Sequence, residues 1–289
     1  MECGGLVRRH ERTLVLPNPQ RACQSPYLPE HWALSATCAL DDRGFRGVVS
    51  AELAELQTRR EGSHKQQGCC RSAAMPCCRH MNTQSSYDRV ADEYVERIFG
   101  ELEHKPFDRR LLDRFAANVS DAGPACDVGC GPGHVARYLH ARGVQISGID
   151  LSAEMVARAR RLTPAIEFQQ ADMMALPIAD ASLSGIVAFY SLIHIPRVDM
   201  VRALRELRRA LQPGGLLLVS FHIGDETVHL DEWWGHAVSV DFFFLRSDEM
   251  VGYLTSAGFE IEEVIEREPY PAVEHQSRRS YIFARRAEE

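Results

Sequence analysis

The first 80 residues contain no isoleucine at all, and leucine, valine and phenylalanine together fill only 13 of those positions. Below roughly 20% of such residues a chain can scarcely bury enough apolar surface to offset the entropy of ordering. No period of 2 or 3.6 organises the few that are present. Residues 1–80 are therefore expected to form a disordered N-terminal extension ahead of a folded domain over 81–289. Met81 stands directly before the first helix signal, so a translation start there would leave the folded region whole.

Other scarcities exclude function classes. No apolar run approaches the roughly 18–20 residues of a membrane span, and Leu14-Val15-Leu16 is too short for a signal-peptide core, so a cytoplasmic chain with no membrane partner is expected. From Met81 onward 22 basic residues stand against 32 acidic ones. Without a basic stripe, no nucleic-acid partner is expected. Of nine cysteines only Cys126 and Cys130 fall in the periodic region, which rules out a disulfide framework there. Cys69, Cys70, Cys77, Cys78 and His80 lack the C-x(2–4)-C spacing of zinc sites, so no metal is expected.

What is present begins with an amphipathic stripe, Tyr87, Val90, Ala91, Tyr94, Val95, Ile98 and Leu102, at helical spacing. Pro106 ends that helix and opens a second one carrying Phe107, Leu111 and Phe115. Strands and helices then alternate: a buried strand into Asp127, a strand over 144–150, a helix capped by Ser152 with Met155, Val156, Ala159 and Leu162 facing inward, strands over 166–172 and 183–190, a helix through Leu211 stopped by Pro213-Gly214-Gly215, and a strand over 216–221. A helix over 247–257, closed by Gly258, precedes strands over 260–267 and 279–285, which no helix separates. The pattern predicts an α/β fold: a Rossmann-like, doubly wound seven-stranded sheet, mostly parallel with an antiparallel last strand, helices on both faces and an N-terminal helical segment. Ligands of such sheets bind beyond the carboxyl ends of the strands, where the strand order reverses.

Asp127-Val128-Gly129-Cys130-Gly131-Pro132-Gly133 places three glycines at alternate positions between a strand and a helix. That lets a ligand lie against the main chain and meet free N–H groups at the helix start. Asp150, at the end of the second strand, is placed to accept both hydroxyls of a ribose, but His134 occupies the position where the dinucleotide fingerprint has its last glycine. Four pieces in order, this turn, Gly148-Ile149-Asp150-Leu151-Ser152, Gln170-Ala171-Asp172-Met173 and Leu211-Gln212-Pro213-Gly214-Gly215, resemble the class I S-adenosylmethionine-dependent methyltransferases over about 87–285.

The resemblance implies S-adenosyl-L-methionine as cofactor. Gly129, Gly131 and Gly133 would line its methionine part and Asp127 would position its amino group. Asp150 would hold the ribose, Leu151 and Met155 would pack near the adenine, and Asp172 with Met173 would recognise the adenine edge. Tyr87 and Tyr94 would close over the cofactor, with Tyr190 facing the sulfonium through its ring. The reaction would be in-line methyl transfer to a small-molecule acceptor, with His194 or His222 as a base where one is needed. The stretch 222–245, rich in aromatics, is expected to cap the acceptor pocket through Trp233, Trp234 and Phe242. Two alternatives remain: an NAD-dependent oxidoreductase, and a non-catalytic binding protein on the same fold. Neither the acceptor nor the oligomeric state can be read from the residues.

Overall fold

The structure, a computed structural model, describes residues 82–288. The expected extension over 1–80 and its cysteine cluster lie outside the described residues. Asn82 caps helix α1 (Thr83–Ile98) by accepting from the Ser85 N–H, while Ser85 Oγ accepts from the Asn82 N–H. A 3-10 turn, Glu101–His104, then leads into α2 (Pro106–Val119), with proline at its first position. The apolar stripe therefore does not run on as one helix to Leu102. Gly100 breaks it, and Leu102 is buried from the turn.

Strands β1 (Ala125–Val128), β2 (Ile146–Asp150), β3 (Phe168–Gln170), β4 (Leu183–Phe189), β5 (Leu211–His222), β8 (Phe259–Arg267) and β9 (Arg279–Arg286) form one sheet in the order β3-β2-β1-β4-β5-β9-β8. Strands β1 to β5 are parallel, and β9 runs antiparallel between β5 and β8, so one strand alone is reversed. Helices α3 (His134–His140), α4 (Ala153–Leu162), α5 (Met200–Ala210) and α6 (Ser247–Ser256) complete the layers.

Alternation along the strands separates two cores. Leu217, Val219 and Phe221 of β5, with Ile282 and Ala284 of β9, join Leu204, Leu207, Met250 and Leu254 of α5 and α6 on one face. On the other, Leu216, Leu218, Tyr281 and Phe283 join Leu112, Phe115, Val135, Leu139 and Val156 of α2, α3 and α4. Ser152 caps α4 as expected, accepting from Met155 N–H, but Leu162 is 39% exposed because α4 ends at that residue. Likewise α5 stops at Ala210, since Leu211 already pairs with Leu183 in the sheet.

Within the stretch 222–245, expected to cap the acceptor pocket, the chain forms a hairpin, β6 (Thr227–Trp233) and β7 (His236–Phe243), standing as a separate two-stranded sheet. Trp234 and Gly235 turn it with φ of 53° and 82°, both positive as a two-residue hairpin loop of this hand demands. Val90 of α1 packs with Leu230, Trp233, Val238 and Val240 of the hairpin, and Ser86 Oγ donates to the Ser239 carbonyl while accepting from its N–H. Thus α1 and the hairpin together roof the carboxyl edge of the sheet.

Gly148 of β2 tests how tightly the fold is packed around that edge. A Cβ there would sit 2.5 Å from Phe168 Cδ1 and 3.0 Å from Cys130 Sγ. Gly148→Ala is expected to destabilise the protein by about 1–3 kcal/mol through overpacking, read by urea denaturation. A variant as stable as the parent would mean that the Phe168 ring swings away freely.

Candidate functional site

Because β1 and β4 are neighbours while their connections leave toward opposite ends of the sheet, a crevice opens at their carboxyl ends. The chain leaves β1 through Gly129, whose φ is 75° and whose Cα faces Ser191 so closely that a Cβ would lie 2.2 Å from Ser191 Cβ. The next turn is fastened to β2: Asp150 Oδ2 accepts from the Gly131 N–H at 2.8 Å, and its Oδ1 accepts from the Ser152 N–H at 2.8 Å. Above this turn lies a cavity of about 150 Å³, lined by Gly129, Gly131, Asp150, Leu151, Asp172, Met173, Tyr190, His194, Tyr87 and Tyr94 among others.

A second cavity of about 170 Å³ shares Tyr87, Tyr94 and Tyr190 with the first. Its roof is aromatic and comes from the hairpin: Trp233, Trp234 and Phe242, with Trp233 4.8 Å from Trp234 and 5.6 Å from Phe242 between ring centroids. The far wall is charged. Lys105 pairs with Glu101 at 2.7 Å and Glu274 at 3.4 Å, and Arg279 lies 3.1 Å from Glu274. Tyr190, at φ 51°, stands where the cavities meet, with Lys105 5.7 Å and Arg279 5.8 Å from its ring centroid.

Burial shapes the titration of these groups. It pushes Asp127 up to about 8 and Asp150 up to about 6. Burial also opposes charge on Glu101, but the Lys105 ammonium and the His134 hydrogen bond hold its carboxyl at about 2. The same burial brings His194 down to about 4 and takes His222 well below its usual range, the latter helped by Arg279. Both imidazoles are therefore neutral near pH 7. His194 Nδ1 is 2.8 Å from the Asp241 carbonyl, which can only accept, so the proton sits on Nδ1 and Nε2 accepts from Tyr87 Oη at 2.8 Å. His222 lines the second cavity, with Nδ1 2.8 Å from Ser277 Oγ and its ring stacked on Phe244.

Three of the residues expected at the cofactor do not reach the first cavity. Met155 is fully buried on the inner face of α4, turned into the protein. Gly133 faces Phe168, where a Cβ would fall 2.6 Å from the ring, so its lack of a side chain serves packing. Asp127 is buried behind the turn, where Oδ2 accepts from the Ala136 N–H at 3.1 Å. One residue was passed over. His134 lines the cavity, its Nε2–H donates to Glu101 at 3.2 Å, and its Nδ1 is buried without a partner. Its position directly after the glycine turn was the available signal. The unpartnered His134 Nδ1, the carboxylate of Asp150 and the side-chain-free backbone at Gly131 line this cavity together, a set that fits a ligand bearing amino and hydroxyl groups, such as an amino-acid-bearing nucleoside.

Comparison with known proteins agrees with the glycine turn and the strand order. The sequence profile of a family described as a methyltransferase domain matches residues 125–215. A malonyl-acyl-carrier-protein O-methyltransferase of Enterobacter lignolyticus is 33% identical over 164 residues, 55% of this chain and 61% of that protein. A 27-O-demethylrifamycin SV methyltransferase of Amycolatopsis mediterranei is 35% identical over 151 residues, 45% of this chain and 54% of that one. In fold, a SAM-dependent methyltransferase of Methanosarcina mazei superposes with a TM-score of 0.53 at 19% identity, covering 57% of this chain and 93% of its own. A methyltransferase of Streptomyces caelestis gives 0.53 at 18%, covering 70% and 98%. The chain spans 53% to 61% of the length of three curated relatives that it matches. Residues 125–215, from the first strand of the sheet to the start of β5, thus carry the match to a methyltransferase domain.

The buried carboxyl of Asp127 makes a stability prediction for the ligand-free protein. The folded chain keeps a proton on Asp127 up to about pH 8, whereas the unfolded chain, at the ordinary 3.8, releases it far lower. Stability should therefore fall as pH rises between about 4 and 8. Asp127→Asn is expected to remove that part of the slope, matching the parent near pH 4 and exceeding it near pH 8 by on the order of a few kcal/mol in denaturant titrations. Parallel pH profiles for the two proteins would contradict the assigned protonation.

Proposed function

We propose that this protein catalyses methyl transfer from S-adenosyl-L-methionine to a small-molecule acceptor, with the cofactor in the Gly131–Asp150 cavity and the acceptor in the aromatic-roofed one. The observation that carries the reading is that two adjoining cavities share the rings of Tyr87, Tyr94 and Tyr190 at the switch point of the sheet. The named activities of the relatives, on a malonyl-acyl-carrier protein and on a rifamycin precursor, support an enzyme with a non-nucleic-acid acceptor. A dinucleotide has no comparable support, since the position of the last fingerprint glycine is taken by His134.

When bound, the cofactor supplies an electrophilic methyl on a sulfonium, whose sulfur keeps the electron pair of the broken S–CH3 bond as the new bond to the acceptor forms. Asp150 would accept the ribose hydroxyls beside its contacts to Gly131 and Ser152, and His134 Nδ1 would meet the amino-acid part. Asp127, behind the turn, keeps the α3 terminus and the glycine loop in place, and a nearby ammonium would draw its carboxyl toward the charged form. Leu151, Asp172 and Met173 would meet the adenine. The three tyrosine rings on the cavity would offer π faces to the sulfonium charge. Trp233, Trp234 and Phe242 exclude water and align the acceptor, and alignment contributes up to roughly 7–11 kcal/mol in well-oriented systems. His222, on the acceptor cavity itself, is the better placed of the two histidines to take a proton, because Tyr87 occupies His194 Nε2.

The test is methyl transfer from labelled cofactor into metabolite pools, with calorimetry on S-adenosylhomocysteine as the binding control. Asp150→Ala removes two charge-assisted hydrogen bonds of roughly 1.5–3 kcal/mol each, so affinity is expected to fall at least about tenfold. In the parent, affinity should also weaken as pH drops through about 6, where Asp150 gains its proton, and the folded variant should lose that dependence. Equal affinities in the two folded proteins would put the nucleotide elsewhere.

A further inference from the structure

The charged wall of the acceptor cavity is unevenly subscribed. Glu274 is saturated: it accepts from both terminal nitrogens of Arg267 and from the Tyr270 N–H, and it also neighbours Lys105 and Arg279. Glu101 is shared by Lys105 and His134. The cations are not saturated. Lys105 brings three N–H donors to two carboxylates. Arg279 is 2% exposed and uses Nη1 on Ser277, while its Nε, although 3.1 Å from Glu274, is buried without a hydrogen-bond partner. A third donor on the same cavity, Trp234 Nε1, is buried and unpartnered as well.

Buried donors left unpaired are costly in a free protein, and a cavity edged by them fits a ligand rich in oxygen acceptors. The alternative, a cationic acceptor drawn to the aromatic roof, would set its charge against Lys105 and Arg279, whose ion pairs already engage Glu101 and Glu274. Desolvation opposes charge on Lys105, but Glu101, Tyr190, Asp108 and Glu274 together outweigh it and hold the ammonium protonated.

We infer that the methyl acceptor is a planar, largely apolar acid whose anionic oxygen group is held by Lys105 and Arg279 while its body lies against Trp233, Trp234 and Phe242. The inference rests on the methyl-transfer reading for the identity of the cavity, but the preference for an anion can be measured separately. An oxyanion at this wall is stabilised in its charged form, so it needs no strong base to become nucleophilic, which agrees with two neutral, weakly basic histidines nearby.

Three isosteric probes test it on the full chain: indole-3-acetate, indole-3-acetamide and tryptamine, titrated by calorimetry with and without saturating S-adenosylhomocysteine. The acetate is expected to bind about tenfold or more tighter than either of the others, the difference of one charge-assisted contact. Arg279→Gln, checked for its fold by circular dichroism, should abolish that preference while leaving S-adenosylhomocysteine affinity unchanged. The inference is overturned if the amide matches the acetate, if tryptamine binds best, or if none of the three binds at millimolar concentration. It is also overturned if Arg279→Gln weakens S-adenosylhomocysteine as much as the acetate, for the donors would then serve the cofactor. If the variant does not fold, the ranking of the three probes on the parent still decides. Failure of S-adenosylhomocysteine itself to bind the parent would count against methyl transfer, and the ranking measured without it would still decide the anion preference.

Discussion

The reversal of strand order between β1 and β4 is the constraint from which the rest of the molecule follows. Adjacent parallel strands whose connections diverge leave a gap that neither layer of helices covers. In this chain the floor of the gap is a glycine-rich loop, and at Gly129 a Cβ would collide with Ser191. The loop does not hang free: Asp150 ties it to β2 through the Gly131 N–H. One carboxylate thus fixes the loop while retaining lone pairs toward the cavity, so local structure and proposed nucleotide binding draw on the same two oxygens.

Covering that gap requires elements outside the doubly wound core. Helix α1 and the β6–β7 hairpin do so, and a buried ionic wall lines the side of the second cavity. Lys105 enters from the first residue before α2, Arg267 from β8, Glu274 from the loop between β8 and β9, and Arg279 from the start of β9. Asp108 extends the network by accepting from Arg267 and Tyr281. Breaking a buried pair by removing one partner costs about 3–5 kcal/mol, so such a wall is rigid once formed. Rigidity there holds Tyr190, whose hydroxyl meets that of Tyr281 at 3.0 Å and whose ring divides the two cavities.

What could be read from the residues follows from how local each signal is. The glycine turn, Asp150, the cap at Ser152 and the alternation of buried strands with amphipathic helices are each written within a dozen residues, and the sheet they imply is the sheet that forms. The hairpin was hidden for two reasons. A bulge between Leu230 and Glu232 shifts the inward alternation, so Val228, Leu230 and Trp233 do not share one period. Its turn is Trp234-Gly235 in place of the Asn-Gly or Asp-Gly that would announce a hairpin. Trp233, Trp234 and Phe242 gather on this hairpin and its turn. The ionic wall was invisible because its members are far apart in the chain, and Glu274 sits in a loop with no pattern to mark it. Met155 shows the opposite error: a position implied by resemblance lies at the right place in sequence, but its side chain turns into the protein.

The roof and the chemistry below it are coupled through one hydrogen bond. Tyr87 projects from α1 over both cavities and gives its hydroxyl proton to His194 Nε2, while His194 Nδ1–H is anchored on Asp241 of the hairpin. Asp88, one residue on, accepts from Ser152 Oγ and the Glu154 N–H, so the same helix is also fastened to the start of α4 beside the nucleotide cavity. In this structure His194 therefore orients Tyr87 and joins the helix to the hairpin, with its Nε2 lone pair engaged by the Tyr87 hydroxyl. On the proposed reading, proton removal falls to His222 or is unnecessary for an acceptor that arrives as an anion. The second route suits a wall on which Arg279 Nε and Trp234 Nε1 have no hydrogen-bond partner.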